Sequence, residues 1–281
     1  MEGTTHAMNW RVIFDGPHDA RHNMAVDEAI LCCHAAGAAP PTLRFYTWQP
    51  PALSIGYFQK AHAEVDVDAC RARGIDFVRR ITGGRAVLHD RELTYSVVVR
   101  EDHPLLPPTL LGSYRVLSQG LIAGLRALGV AAEMSLPGAA FGQTARLPKN
   151  GACFDAPSFY EITVQRKKLL GSAQVRKEGV LLQHGSLLFD FDPAALTSLL
   201  KFPDAGERER CTKVLQAKAT SLRHILGTVP DATAVARIMA AEFGRALGIT
   251  LAEGRLTAEE EALAARLAAE KFGADSWNFS K

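Results

Sequence analysis

The sequence predicts a soluble mixed α/β protein, and three observations carry that reading. Runs rich in β-branched and aromatic residues alternate with segments of helical period along most of the chain. Hydrophobic residues make up 47% and charged residues 22% of the chain, which is the balance of an ordinary globular protein. The length of 281 residues accommodates one large α/β domain or two smaller ones. A net charge of +2 argues against general attraction to nucleic acid or membranes, so any basic site is local. No segment approaches the roughly 18 apolar residues of a membrane span, and Met1 to Asn9 lacks a signal-peptide core, so a cytoplasmic protein is expected. The five cysteines are odd in number and irregularly spaced, unlike a disulfide framework or paired zinc knuckles, and no metal site is expected.

Trp10 to Phe14 reads as a strand ended by Asp15-Gly16-Pro17. A helix follows with Asn23 as its N-cap and Val26, Ala29, Ile30 and Cys33 on one face. Thr42 to Trp48, Ala52 to Gly56 and Ile75 to Arg79 read as strands, with a short helix through Val65 to Cys70. Leu93 to Val99 is β-branched and aromatic. Leu117, Leu121, Leu125 and Leu128 mark an amphipathic helix whose Gly120 and Gly124 permit close packing. The Gly/Ala/Pro-rich stretch from Pro137 to Ala156 has no periodicity and reads as a long loop, of a length that is often functional. Tyr160 to Val164 and Lys168 to Gln174 form a strand pair joined at Gln165-Arg166-Lys167, and Gly179 opens another that runs on to Asp190. The remainder is read as helical over Pro193 to Leu200, Asp231 to Leu247 and Thr257 to Lys271, with Thr257 and Glu260 as a capping box.

Two stretches carry candidate chemistry. Gly83 and Gly84 lie between Arg79-Arg80 and Arg85, near His89, where main chain without Cβ atoms lets a ligand rest on the backbone. The same residues also read as a glycine turn with surface charges. Cys153 lies among small residues in the long loop, whereas Cys33, Cys70 and Cys211 fall on helical patterns. A nucleophilic thiol must ionise, and a free thiol has a pKa near ~8.5, so a cation is needed beside it. Lys167 and Lys168 are the candidates in range, and they equally suit a solvated hairpin turn. At ~4 Å and an effective dielectric near ~20, an ammonium stabilises a thiolate by up to ~4 kcal/mol before solvent screening. His89 and His184 are candidates for proton transfer or for structural hydrogen bonding.

Four blocks in order, Arg79 to Ser96, Ala152 to Glu161, Lys168 to Gln174 and Leu182 to Ser186, resemble the biotin/lipoate protein ligase and octanoyltransferase superfamily. Asn23 to Glu28, Ala219 to Leu222 and the ending Lys271 to Asn278 extend the likeness over most of the chain. The Cys-containing block is most similar to the Cys-dependent octanoyl-[acyl carrier protein]:protein N-octanoyltransferases of Gram-positive bacteria.

The resemblance implies a catalytic domain over residues 1–250, with a large mixed sheet, a smaller sheet and packed helices, and a C-terminal helical extension over 251–281. It makes Cys153 the acyl carrier and Lys168 the cation beside it. It places Arg80, Gly83, Gly84, Arg85, Ala86 and His89 in the acyl site, faced by Gly171, Ser172 and Ala173 and joined by His184 and Gly185. Val87 and Leu88 are expected in its apolar slot. It implies octanoyl-acyl carrier protein as donor, a lysine of a lipoyl domain or glycine cleavage H protein as acceptor, no cofactor, and a monomer; Arg79, Arg80 and Lys149 would suit the carrier's acidic surface. ATP-dependent lipoate ligation, transfer between lipoyl domains and non-catalytic acyl binding are the alternatives. Two departures stand out. Arg85 and Glu92-Leu93-Thr94-Tyr95 replace the ligases' third glycine and Gly-Asn-Leu-Asn, which weakens an adenylate-forming reading; Arg166-Lys167 replaces the transferases' Gly-Arg, which alters the expected turn.

Overall fold

A computed structural model describes residues 9–135 and 161–281. In chain order, the first part holds β1 (Asn9–His18), α1 (Ala20–Ala35), β2 (Thr42–Trp48), β3 (Ala52–Ile55), α2 (Ala61–Glu64), α3 (Val67–Ala72) and β4 (Asp76–Arg79). It continues with β5 (Val87–His89), β6 (Glu92–Arg100), α4 (Leu110–Ala127) and β7 (Glu133–Met134). After the second boundary come β8 (Ile162–Val164), β9 (Lys167–Lys177), β10 (Val180–Leu188), α5 (Pro193–Thr197), α6 (Ala205–Lys218) and α7 (Leu222–Leu226). The chain ends with α8 (Ala232–Leu247), β11 (Thr250–Glu253), α9 (Ala258–Leu267), a π-helical turn over Ala268–Phe272 and α10 (Asp275–Asn278). The long loop read from Pro137 to Ala156, and Cys153 and Lys149 within it, lie outside the described residues.

Eight strands form one sheet in the order β11-β1-β2-β6-β10-β9-β8-β7, and β4-β3-β5 form a second. The large sheet is mixed: β1 runs parallel to both β11 and β2, and the other pairs are antiparallel. Period-two alternation divides its central strands between two environments. Leu43 and Phe45 of β2 and Leu93, Tyr95, Val97 and Val99 of β6 enter the core shared with α4 and α8. Tyr46, Trp48 and Val98 instead join the cluster made with α1, α9 and the π-helical turn. A third cluster holds the small sheet against α5 and α6. Gly120 and Gly124 of α4 bring it against α8, where an added Cβ would come within 2.5 Å of Phe243 and of Met239.

Three local readings change. Helix α1 starts at Ala20, capped by Asp19, because Asn23 turns its amide to the carbonyls of His18 and Thr47. Residues 250–253, read within a helical remainder, form β11 because the edge of β1 supplies a parallel partner. The turn between β8 and β9 forms without glycine: Gln165 and Arg166 both take positive φ, 49° and 64°, as a tight hairpin requires. Lys167 consequently belongs to β9, opposite Val164, and Lys168 faces Thr163. The capping box of Thr257 and Glu260 is present at α9. Among the described residues no helix is long and apolar enough to cross a membrane.

Candidate active site

Between the two sheets lies a cavity of about 390 Å³. Strand β9 supplies Lys168, Gly171, Ser172 and Ala173, and β10 supplies His184, Gly185 and Ser186. Arg80, Gly84, Arg85, Val87 and His89 come from β5 and the loop before it, and Ser54 and Phe58 from β3 and the turn after it. Met24, Tyr46, Trp48 and Thr94 line the wall nearest α1. Of the residues expected here, Gly83 and Ala86 stand behind the wall: Ala86 is in the third core cluster, and Gly83 offers its carbonyl to Arg80. Leu88 also packs on that cluster, since alternation along β5 sends it away from Val87 and His89.

The glycine-rich loop is clamped from inside. Arg80 is buried and donates from Nη1 to the Ser54 hydroxyl at 2.9 Å, and from Nη2 to the Gly83 and Arg85 carbonyls at 2.9 and 2.8 Å. Gly84 has φ +94° and leaves no room for a Cβ, which would lie 2.8 Å from that guanidinium. Arg79 does something else. Its guanidinium donates to the carbonyls of Gly56, Tyr57 and Gln59 and to those of Trp277 and Asn278. With Arg79 fully buried and Arg80 nearly so, neither presents charge to an acidic partner's surface, contrary to the expectation from sequence.

Both histidines are fully engaged. His89 donates from Nδ1 to Glu92 at 3.2 Å and accepts at Nε2 from the Ser54 hydroxyl at 2.7 Å, which assigns its tautomer from the surrounding donors. Its ring lies on Trp48 with centroids 4.0 Å apart, and Trp48 donates in turn to Thr94. Burial pushes the His89 pKa down, leaving the ring neutral at neutral pH. His184 donates from Nδ1 to Asp27 at 3.1 Å and accepts from Thr82 at 2.7 Å, tying β10 to the loop ahead of Gly83. Asp27 also accepts from Arg44 at 2.9 Å, Tyr46 at 2.9 Å and Ser96 at 2.8 Å. Burial alone would raise the Asp27 pKa; the His184 hydrogen bond and the Arg44 charge overcome it and hold the carboxyl below its ordinary value.

Lys168 is 5% exposed and bonds Glu161 at 2.5 Å. Its side chain crosses directly over Gly171, where a Cβ would come within 2.6 Å of the lysine Cε. The three-residue offset between Lys168 and Gly171 thus has a steric reason. Gly185 makes the matching concession: its Cβ would meet the Gly171 carbonyl at 2.3 Å. Cys33, Cys70 and Cys211 are buried on helices, and Cys32 is half-buried. Burial raises the thiol pKa of Cys32 and Cys33, and that of Cys70 to about 11, so none of these three is an activated nucleophile. Met24, Tyr46, Trp48, Ser54, Phe58, Thr94 and Ser186 line the cavity without having been singled out from sequence. The polar or aromatic positions of β2 and β6 that alternate with core residues were the available signal for Tyr46, Trp48 and Thr94.

A largely apolar cavity between a mixed sheet and a small second sheet, with a buried lysine in its wall, defines an α/β protein of the lipoate ligase fold. A chain from the structure of the Thermoplasma acidophilum lipoylation system, a bi-partite lipoate protein ligase and its E2 lipoyl domain, matches with a TM-score of 0.78 at 28% identity, covering 97% of this chain and 96% of that one. The chain belongs to the lipoyl protein ligase A/B catalytic domain family, which matches residues 19–244. Octanoyltransferase LipM of Kyrpidia tusciae is 52% identical over 272 residues, with 97% of this chain and 99% of that protein covered. Octanoyltransferase LipM of Geobacillus kaustophilus is 45% identical over 273 residues, covering 97% and 98%.

Proposed function

We propose that this protein is an octanoyltransferase of lipoate biosynthesis that carries the acyl group on Cys153. The observation that carries the reading is 52% identity to an octanoyltransferase over nearly the whole of both chains. The Cys153 thiolate attacks the thioester carbonyl of octanoyl-acyl carrier protein, the carrier's thiolate leaves, and an acyl-enzyme thioester remains. A lysine amine of a lipoyl domain or of glycine cleavage H protein then attacks that carbonyl. The amide forms, the amine gives up a proton, and the Cys153 thiolate departs. Amide formation from a thioester is downhill, so the sequence of steps needs neither ATP nor a metal.

Lys168 is the cation assigned to the thiolate; it gives a proton to the departing carrier thiolate in the first step and, then neutral, takes the amine's proton in the second. Its place in the cavity wall supports that role, and its contact with Glu161 qualifies it: a carboxylate 2.5 Å from the ammonium offsets part of the field felt by a thiolate. Backbone N–H groups along the glycine-bearing walls are assigned to the oxyanion, a type of contact whose loss costs roughly 3–4 kcal/mol in other enzymes. Met24, Tyr46, Trp48 and Val87 supply the apolar surface for the alkyl chain. The enzyme acts as a cytoplasmic monomer, with residues 251–281 as an extension of the catalytic domain.

The test is to incubate the protein with octanoyl-acyl carrier protein, without ATP, and to look by intact mass for a hydroxylamine-labile octanoyl adduct. The adduct forms on the native chain and is absent from Cys153→Ala. Adduct on the variant overturns the assignment of Cys153, and acylation of a lipoyl domain only when ATP and free acid are supplied overturns the transferase reading.

A further inference from the structure

We propose that Asp15, His18 and His22 form a binding site for one divalent transition-metal ion of the zinc type, at the junction of β1 and α1. The three residues offer a carboxylate oxygen and two imidazole nitrogens that all lie within 4.8 Å of one another. In a tetrahedral zinc site with bonds near ~2.1 Å, neighbouring donor atoms sit roughly 3.4 Å apart. Side-chain rotation of about an ångström therefore closes the set around an ion.

The backbone presenting these groups is already held in place. β1 loses its regular register against β2 between Phe14 and Pro17, and this irregularity carries Asp15 toward His18. The His18 carbonyl accepts from the Asn23 amide at 3.1 Å and from the Gln49 N–H at 3.0 Å. Asp19 accepts from the His22 N–H at 2.7 Å, fixing the first turn of α1. The two rings lie stacked with centroids 4.1 Å apart. The outer arrangement is equally built: Arg44 donates to Asp15 Oδ2 from Nε and Nη2 at 3.0 and 2.9 Å, which orients the carboxylate and leaves Oδ1 turned to His18.

Oδ1 now meets His18 Nε2 at 2.8 Å. An ion entering between them takes the place of that hydrogen bond, with His18 binding through Nε2 as its Nδ1–H tautomer. His22 supplies the third donor. All three residues are half-buried, so a fourth position stays open to water. A donor set of two imidazoles and one carboxylate suits Zn²⁺, Co²⁺ or Ni²⁺ over Mg²⁺ or Ca²⁺.

The test is equilibrium dialysis of the chelator-stripped full chain against Zn²⁺, with Mg²⁺ in excess. One equivalent binds saturably to the native chain and to Cys153→Ser, and His18→Ala and His22→Ala each weaken it by more than about tenfold. The thermal midpoint rises with Zn²⁺ in the native chain and not in the histidine variants, whose midpoints in chelator match the native value. Co²⁺ gives visible bands without thiolate charge transfer, a readout that needs no variant. Absence of saturable binding, undiminished binding by both histidine variants, or a thiolate signature overturns the site.

Discussion

Replacing Asp27 by alanine tests whether the buried network behind the cavity holds the fold as its geometry indicates. Asp27 is 1% exposed, and Arg44, its ion-pair partner at 2.9 Å, is fully buried. Breaking such a pair from one side costs about 3–5 kcal/mol, because the remaining charge stays desolvated. Arg44 keeps Asp15 and the Asn23 side chain as partners, which draws the estimate toward the lower end. Tyr46, Ser96 and His184 lose an acceptor at the same time, at about 1–3 kcal/mol for a buried donor left unpaired, and these losses do not add independently. The expected cost is therefore about 3–5 kcal/mol in urea unfolding, or roughly 5–9 °C in midpoint for a chain of this size. Acid dependence gives a second readout. Asp27 and Asp15 both have pKa values held below their ordinary range, so their stabilisation is complete above an unfolded value near ~3.9 and is lost as pH falls through the folded value. Asp27→Ala removes part of that acid slope. A loss below about 1 kcal/mol with an unchanged slope would refute the reasoning.

Two further outcomes follow from the same site. Gly185→Ala places a Cβ 2.3 Å from the Gly171 carbonyl and 2.8 Å from the Tyr95 ring, so it costs about 1–3 kcal/mol of stability and lowers transfer activity by shifting the backbone beneath Lys168. Unfolding and acyl-transfer rates check it, and a variant matching the native protein in both sinks the packing argument. His89→Gln flattens the pH dependence of stability between pH 7 and 5. His89 has its folded pKa pushed below the unfolded value near ~6.5, so the unfolded chain takes the proton first and stability falls as pH drops through that interval. His34, shifted the same way by burial, keeps part of the slope in the variant. An unaltered slope would show that His89 titrates alike in both states.

The strands and amphipathic helices were legible wherever local pattern and tertiary environment agree. Leu93, Tyr95, Val97 and Val99 alternate in sequence and share one core cluster, and the capping box of α9 is a contact within one turn. What escaped is long-range. Residues 250–253 form a strand through pairing with residues 9–12, and nothing local distinguishes them from a helix end. Asp19 and Asn23 both suit an N-cap; the choice falls to Asp19 because buried partners on β1 and β2 claim Asn23. Arg79 and Arg80 are identical neighbours, yet Arg79, the last residue of β4, turns to the C-terminal backbone and Arg80, the first residue beyond it, turns into the cavity wall.

The cavity's own wall escaped for a related reason. Along β2, β6 and β10 one set of alternating positions fills the core against α4 and α8, and the other carries Arg44, Tyr46, Trp48, Glu92, Thr94, Ser96, His184 and Ser186. In sequence those positions look like the solvated face of an antiparallel sheet, where polar residues need no partner. In the fold all eight are buried, so their polar groups are answered by one another, Glu92 Oε2 excepted. That requirement links Asp27 to His184 and Thr82, and Glu92 to His89, Ser54 and Arg80. The glycine-rich loop is consequently positioned by two hydrogen-bonded chains rooted in the large sheet. Its own two glycines account only for the close approach of its backbone, and Gly84, at positive φ against Arg80, is the one whose replacement the geometry forbids.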